Sequence, residues 1–480
     1  MSTTQGIFYI STSKNFLPYL IAIVFFLVTF YVAFFVITEN WDHDIMFYYF
    51  SGKEILNGNG MNIYIPDGPI GWALAISSLD LIIDDVYATA KIISVLTGSG
   101  IVLLTYFIAR NFFGYKIALL TQILVAINPF FHSETLITHN ESLSLFLLFA
   151  SFYFLSKKEL STKYTILGSV FLGLACIMRY PAFLFVVGYT AFFLITPTKK
   201  NLKLLSVFLI ALFITITPLL LYYFFTHGVL LDLNPNFYMQ NYGIYNPVDT
   251  PFDESYQAYF NNLEVFLKNY LHSFFVHNPH KLFNLGFGWD SLSVLPLIPF
   301  GGALLVLGGV IVLLKKRSKF RIIQILLLPS VFILGISIIP ISTPYDMLYV
   351  VFFLFVLVAV FILTVIKTIS FRFSNLRKQK IVLNLLIFFV IICFIASNLL
   401  FSAMYEKFLL YREDMDYKKL FSSENLPLQY EKYNQICEVL SKEPKIHEKF
   451  VMADTLAYPY CTDSKLLYVH PSHLESGSGY

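Results

Sequence analysis

Apolar runs of about twenty residues recur along nearly the whole of this chain, and a run of that length spans the hydrocarbon of a bilayer as one helix. In 480 residues that are 57% hydrophobic and 13% charged, such runs specify a polytopic membrane protein, not a string of soluble domains. Eleven spans are expected, near 16 to 37, 86 to 109, 116 to 132, 141 to 156, 163 to 178, 181 to 196, 203 to 225, 291 to 314, 321 to 341, 345 to 366 and 381 to 402. The run from Ile70 to Leu79 is too short to span and is expected to lie in the interface or re-enter. The first run lacks a short core ending in a small-residue cleavage site, so it reads as a retained anchor.

Orientation follows from the basic residues. Loops carrying Arg110 and Lys116, Lys157 to Lys163, Lys199 to Lys203, Lys315 to Arg321 and Lys367 to Lys380 alternate with loops that hold few. The positive-inside rule places the basic set, with the N-terminus, in the cytoplasm and the C-terminus outside. The formal charge of +3 is a small difference between 33 basic and 30 acidic residues and gives no support to nucleic-acid binding. The expected division is a transmembrane domain over 1–402, with external loops at 38–85 and 226–290, and an extracytoplasmic tail over 403–480.

The tail alternates a helical period near 427 to 442 with two short strand-like stretches, so an all-α membrane protein carrying a small α/β-like tail is expected. Cys437 and Cys461 both fall in it, as a disulfide on an oxidising side or as packed free thiols. The loop over 226–290 is rich in tyrosine and asparagine, which suits either sugar binding or an interfacial aromatic belt.

Charge in this charge-poor chain is concentrated in the first external loop. Glu39, Asp42, Asp44, Glu54, Asp67, Asp80, Asp84 and Asp85 all fall there. Asp44, Tyr48 and Ser51 recur at helical spacing, and Gly58 supplies a helix stop. One aspartate can cap that helix; another carboxylate is then left to act as general base, cation ligand or hydroxyl acceptor. Further on, His132, Glu134, His139 and Glu141 crowd one short external turn, a donor set suited to a divalent cation (Mg or Mn) or a sugar phosphate. Glu141 alone also reads as an acid favoured at a helix N-terminus. Arg179 lies where two apolar segments meet, at a depth that costs about 2.5 to 3.5 kcal/mol without a partner. It pairs with a helix carboxylate, snorkels to the interface, or presents its fork to a lipid-linked phosphate.

These stretches resemble a known family. The Asp44 to Asn59 segment, ARNFFGYK, NPFF, HNESLSLFLLFASFYFL and GLACIMRYPAFL are similar to segments of the GT-C membrane glycosyltransferases, in particular the protein mannosyltransferase and aminoarabinose-transferase-like group. The resemblance covers about residues 16 to 200 and is one of topology beyond them. It implies an inverting glycosyltransferase that takes sugar from a polyprenyl-phosphate donor and passes it to a lipid, glycan or protein acceptor. Asp44, with Asp42 second, maps onto the catalytic aspartate, Glu141 onto a later acidic residue and Arg179 onto an arginine. Lys53 joins Arg179 as a donor-phosphate contact, while His139, Tyr48 and Glu54 join Glu141 as substrate or metal contacts. The chain departs from the family in having Asp42-His43-Asp44 in place of adjacent Asp-Glu, and Thr343-Pro344-Tyr345-Asp346 in place of a late Arg-Tyr pair. A multi-pass transporter or lipid flippase is the alternative, against which the spans show no inverted repeat and few ionisable residues at their middles.

Overall fold

The computed structural model describes residues 5–36, 44–58, 70–136, 141–195, 197–227, 297–315, 319–338 and 348–370, together with the single positions Ile381 and Leu385. Every element among the described residues is helical. In chain order they are α1 (Gln5–Tyr31, continued by a π-helical turn, Val32–Val36), α2 (Asp44–Leu56), α3 (Ile70–Ile83), α4 (Val86–Phe113), α5 (Tyr115–Ala126), α6 (Pro129–Leu136) and α7 (Glu141–Leu155). Then follow α8 (Thr162–Met178), α9 (Phe183–Ile195), α10 (Lys199–His227), α11 (Leu297–Lys315), α12 (Lys319–Ile338) and α13 (Leu348–Ser370).

Among the described residues, four helices are long and apolar enough to cross a membrane alone: Phe16–Phe35, Val86–Phe113, Lys199–Tyr222 and Leu348–Ile369. The other expected spans within the described residues coincide with shorter apolar helices. Apart from Ile381 and Leu385, the span expected at 381 to 402 lies outside the described residues, as do the loop beyond His227, the α/β-like tail, Cys437 and Cys461.

Backbone groups in hydrocarbon must be satisfied within the helix, and side-chain hydroxyls follow the same rule. Thr97, Thr121, Ser169, Thr190, Thr215 and Thr364 each donate to the carbonyl four residues back at 2.7–2.8 Å. In α1, Ala22, Phe25, Thr29 and Ala33 are buried in a four-residue rhythm, while Ile23, Leu27, Tyr31 and Phe35 point outward. Buried nearly all round, α13 is the axis of the bundle. Its Phe352 and Phe353 rings meet Phe149 and Phe152 of α7 edge-on at 5.7 and 5.2 Å, and Tyr349 stacks on Phe332 of α12 at 5.4 Å.

The sequence suggested one run over 116 to 132, but the structure breaks it. The α5 helix ends at Ala126, and Asn128 starts α6 by accepting a bond from the Phe131 N–H at 2.7 Å. Between α4 and α5, Gly114 turns the chain at φ +86°, a conformation open to glycine.

The short α3 helix packs among α2, α4 and α8. At its start a Cβ on Gly71 would lie 2.8 Å from the Ile177 carbonyl oxygen of α8, so the two backbones touch. Gly52 of α2 similarly leaves no room against the Ala73 carbonyl, and the Ser77 hydroxyl donates to the Tyr49 carbonyl at 2.8 Å. The bundle therefore gathers α2, α3, the start of α7 and the end of α8 at one end. Its other end collects basic loops: Asn111 donates to Ser156 at 2.9 Å, and the α7–α8 connection lies beside Lys200 and Lys203.

Candidate functional site

Antiparallel packing of α7 on α8 brings the N-terminus of one against the C-terminus of the other. Glu141 occupies the first turn of α7, where the helix dipole favours an anion. Arg179 directly follows α8, where a cation is favoured, and its extended backbone (φ −161°, ψ 131°) ends the helix ahead of Pro181. The two side chains form an ion pair of 2.8 Å between a guanidinium nitrogen of Arg179 and Glu141 Oε1. The Glu141 side chain is only 4% exposed and that of Arg179 20%, so the carboxylate is enclosed while the guanidinium is partly exposed. Glu141 Oε2 is buried without a hydrogen-bond partner among the described residues.

One turn further into the bundle, Ser144 fixes this corner. Its hydroxyl donates to the Ala175 carbonyl at 3.1 Å and lies 2.9 Å from the Tyr349 hydroxyl. With the serine proton committed to Ala175, Tyr349 is the donor in the second bond. Three helices, α7, α8 and α13, are thus locked directly beneath the Glu141–Arg179 pair. Neither Ser144 nor Tyr349 was singled out in the sequence, where each sits in an apolar run like any packed polar residue.

The first-loop helix closes over the same corner. Tyr48 and Tyr49 of α2 pack with Trp72 and Ile76 of α3, Ala90 of α4 and Leu143 of α7, two residues beyond Glu141. Asp44 is the first residue of α2, one turn ahead of Tyr48, and Gly58 ends the helix region at φ +79° as its position in the sequence suggested. The side chains of Asp44 and Glu54, and the whole of Asp42 and His139, lie outside the described residues.

Lys53 lies 4.6 Å from the centre of the Tyr49 ring. Burial pushes the Tyr49 phenol up, its hydrogen bond with Asp80 adds to this, and Lys53 opposes it. Asp80 in turn accepts from Thr89 at 3.4 Å and is buried. Lys91, also buried, lies 5.8 Å from the Phe34 ring centre. Asp80 and Lys91 are polar members of this corner that the sequence reading did not assign. A carboxylate inside the apolar α3 run and a lysine inside the α4 run were the available signals.

Of the acidic and histidine-rich turn, only His132 and Glu141 have described side chains; that of Glu134 and the whole of His139 lie outside the described residues. His132 lies on α6 with its ring edge-on to Phe25 of α1 at 5.6 Å, and burial holds its pKa below the usual histidine value. No three His, Cys, Asp or Glu side chains come together among the described residues. A divalent cation at Glu141 would face the Arg179 guanidinium that already occupies Oε1. The described residues therefore do not fit Mg or Mn here.

Comparison with known proteins bears on the whole arrangement. Residues 67–222 match the family described as dolichyl-phosphate-mannose-protein mannosyltransferase. No curated protein matches the chain in sequence. The fold is similar to the crystal structure of ArnT from Cupriavidus metallidurans bound to undecaprenyl phosphate, with a TM-score of 0.50 and 13% identity over 97% of this chain and 88% of that one. It is also similar to the Archaeoglobus fulgidus oligosaccharyltransferase tethered with an acceptor peptide, with a TM-score of 0.50, 14% identity, and coverage of 81% of this chain and 56% of that longer one. The family match over residues 67–222 and the similar folds agree with the resemblance read from the sequence.

Proposed function

We propose that the chain moves a sugar from a polyprenyl-phosphate donor to a lipid, glycan or protein acceptor at the extracytoplasmic face, with inversion at the anomeric carbon. The observation that carries this reading is the Glu141–Arg179 pair. It holds a partly exposed guanidinium beside a buried carboxylate oxygen that lacks a partner among the described residues. An anion-binding fork next to a hydroxyl acceptor is what a sugar phosphate requires. The mannosyltransferase family match and the undecaprenyl phosphate bound by the similar ArnT structure support a lipid-linked donor.

In this mechanism the carboxylate of Asp44, the first residue of α2, accepts the proton of the acceptor hydroxyl, with Asp42 the second candidate. The acceptor oxygen attacks the anomeric carbon from the face opposite the phosphate, and the carbon–oxygen bond to the phosphate breaks. Its electron pair leaves with the lipid phosphate, which Arg179 stabilises, with Lys53 a second candidate contact. Glu141 Oε2 accepts from a sugar hydroxyl, and Tyr48, Glu54 and His139 are further candidate substrate contacts.

The test is transfer of radiolabelled sugar from polyprenyl-phosphate donors to a membrane extract by purified protein, wild type beside Asp44→Asn. Transfer by the wild type that falls about 100-fold or more in the variant supports both the activity and the base. A variant as active as the wild type removes Asp44 from the mechanism. Donor that binds both proteins with no transfer by either turns the reading toward transport.

A further inference from the structure

At the end of the bundle away from Glu141 there is an open groove of about 730 Å³ between the α7–α8 connection and the start of α10. We propose that it binds the phosphate headgroup of an anionic phospholipid, a role separate from the donor site. Lys157, Lys158, Lys200 and Lys203 line it with Tyr164, and Leu204 is buried at its floor. Glu159 is the single acidic residue among the described residues of its lining.

Positive-inside topology explains lysines in each loop, but not why two loops some forty residues apart share one concave wall. Lys157 is held in place over the Tyr153 ring, at 3.6 Å from its centre. Two helices begin at this groove. Ser161 caps α8 by accepting from the Tyr164 N–H at 3.5 Å, and Thr198 accepts from the Asn201 N–H at 3.1 Å at the start of α10. Both dipoles therefore add to the positive potential of the lysines.

The surroundings favour a lipid over a soluble anion. Ile166, two residues beyond Tyr164, and Leu202, between Lys200 and Lys203, are exposed apolar side chains beside the polar rim. Leu209 and Ile210 continue that exposed apolar surface along α10. A phosphate held by the lysines would leave its acyl chains lying along this surface, the arrangement expected of basic pockets at membrane helix ends.

Native mass spectrometry of the full-length protein, in detergent with equal phosphatidylglycerol and phosphatidylcholine, tests the proposal. The wild type is expected to retain phosphatidylglycerol preferentially. The Lys200→Gln/Lys203→Gln variant should retain it roughly tenfold less or weaker. A Lys315→Gln/Lys367→Gln variant, with the same loss of charge outside the groove, should bind as the wild type does. Equal losses in both variants, or a wild type that does not distinguish the two lipids, overturns the proposal. If the groove variant fails to fold, the wild-type preference decides alone. Displacement of the lipid by millimolar inorganic phosphate would make the site one for a free anion and would also overturn it.

Discussion

At the residue scale, Glu141 and Arg179 are unequal partners, and the inequality predicts which deletion is worse. Removing Arg179 as Arg179→Ala leaves an enclosed carboxylate without its counter-charge, which costs about 3 kcal/mol or more. Glu141→Gln leaves a guanidinium that still reaches water, so a loss of about 1 kcal/mol is expected. Thermal unfolding in detergent should rank the two in that order, while transfer should fall about 100-fold in both. Arg179→Lys separates stability from function: it keeps the charge and most of the stability but loses the planar fork, so transfer falls while the melting temperature holds. A second residue-scale prediction concerns pH. Burial lowers the His132 pKa below its ordinary 6.5, so the unfolded chain takes up this proton first as the pH falls. The stability due to neutral His132 is complete above pH 6.5 and is lost as the pH drops through the lower, folded value. Melting temperatures of wild type and His132→Phe should therefore converge or cross as the medium is acidified. A difference between them that stays constant with pH would show that His132 does not titrate in this way.

At the element scale, the contact of α2 with α3 sets where Asp44 starts. Gly52→Ala would drive a methyl into the Ala73 carbonyl and the Ser77 hydroxyl, so α2 must move. The expected cost is about 1 to 3 kcal/mol, with transfer lost out of proportion to folding. Gly58→Ala is the comparison: it meets open space and only backbone strain at φ +79°, costing about 1 kcal/mol with near-normal transfer in the folded fraction. Equal transfer by the two variants would show that α2 position does not matter. Much of this architecture is readable from the chain itself, because apolar runs and caps are local signals: α4, α7 and α8 begin within two residues of where the sequence puts them, and Gly58 stops α2. The α6 helix was missed although Asn128-Pro129 is a local start signal, because the apolar run continues across it. The Glu141–Arg179 contact was open in the sequence as one of three alternatives, since a base needs a partner but its identity depends on packing. Asp80 and Lys91 were legible only as ionisable residues inside apolar runs, and the Ser144–Tyr349 bond was not legible at all. Their partners are brought to them by tertiary packing, with Ser144 and Tyr349 205 residues apart.

At the scale of the whole molecule, the polar corner and the basic groove occupy opposite ends of the same short helices. The fifteen residues of α7 rise roughly 22 Å, less than the roughly 30 Å of a bilayer core. A carboxylate at one end of such a helix and lysines at the other cannot both stand clear of an undeformed membrane. If the lysines sit at the headgroups, Glu141 and Arg179 lie below the opposite surface, where the proposed lipid-phosphate donor would approach from the side. This geometry requires that the α7–α8 connection and the turn after α2 face opposite compartments, which thiol labelling can read. In a background lacking the four native cysteines, Glu159→Cys and Asn57→Cys place a thiol at two exposed positions, one at each end. A membrane-impermeant maleimide added to intact cells should label the Asn57→Cys variant at once, and the Glu159→Cys variant only after the membrane is opened. The reverse pattern would invert the orientation and move the proposed transfer to the cytoplasmic face. Labelling of both from one side would separate the candidate site from the bundle geometry that places it, because α7 would then not connect the two surfaces.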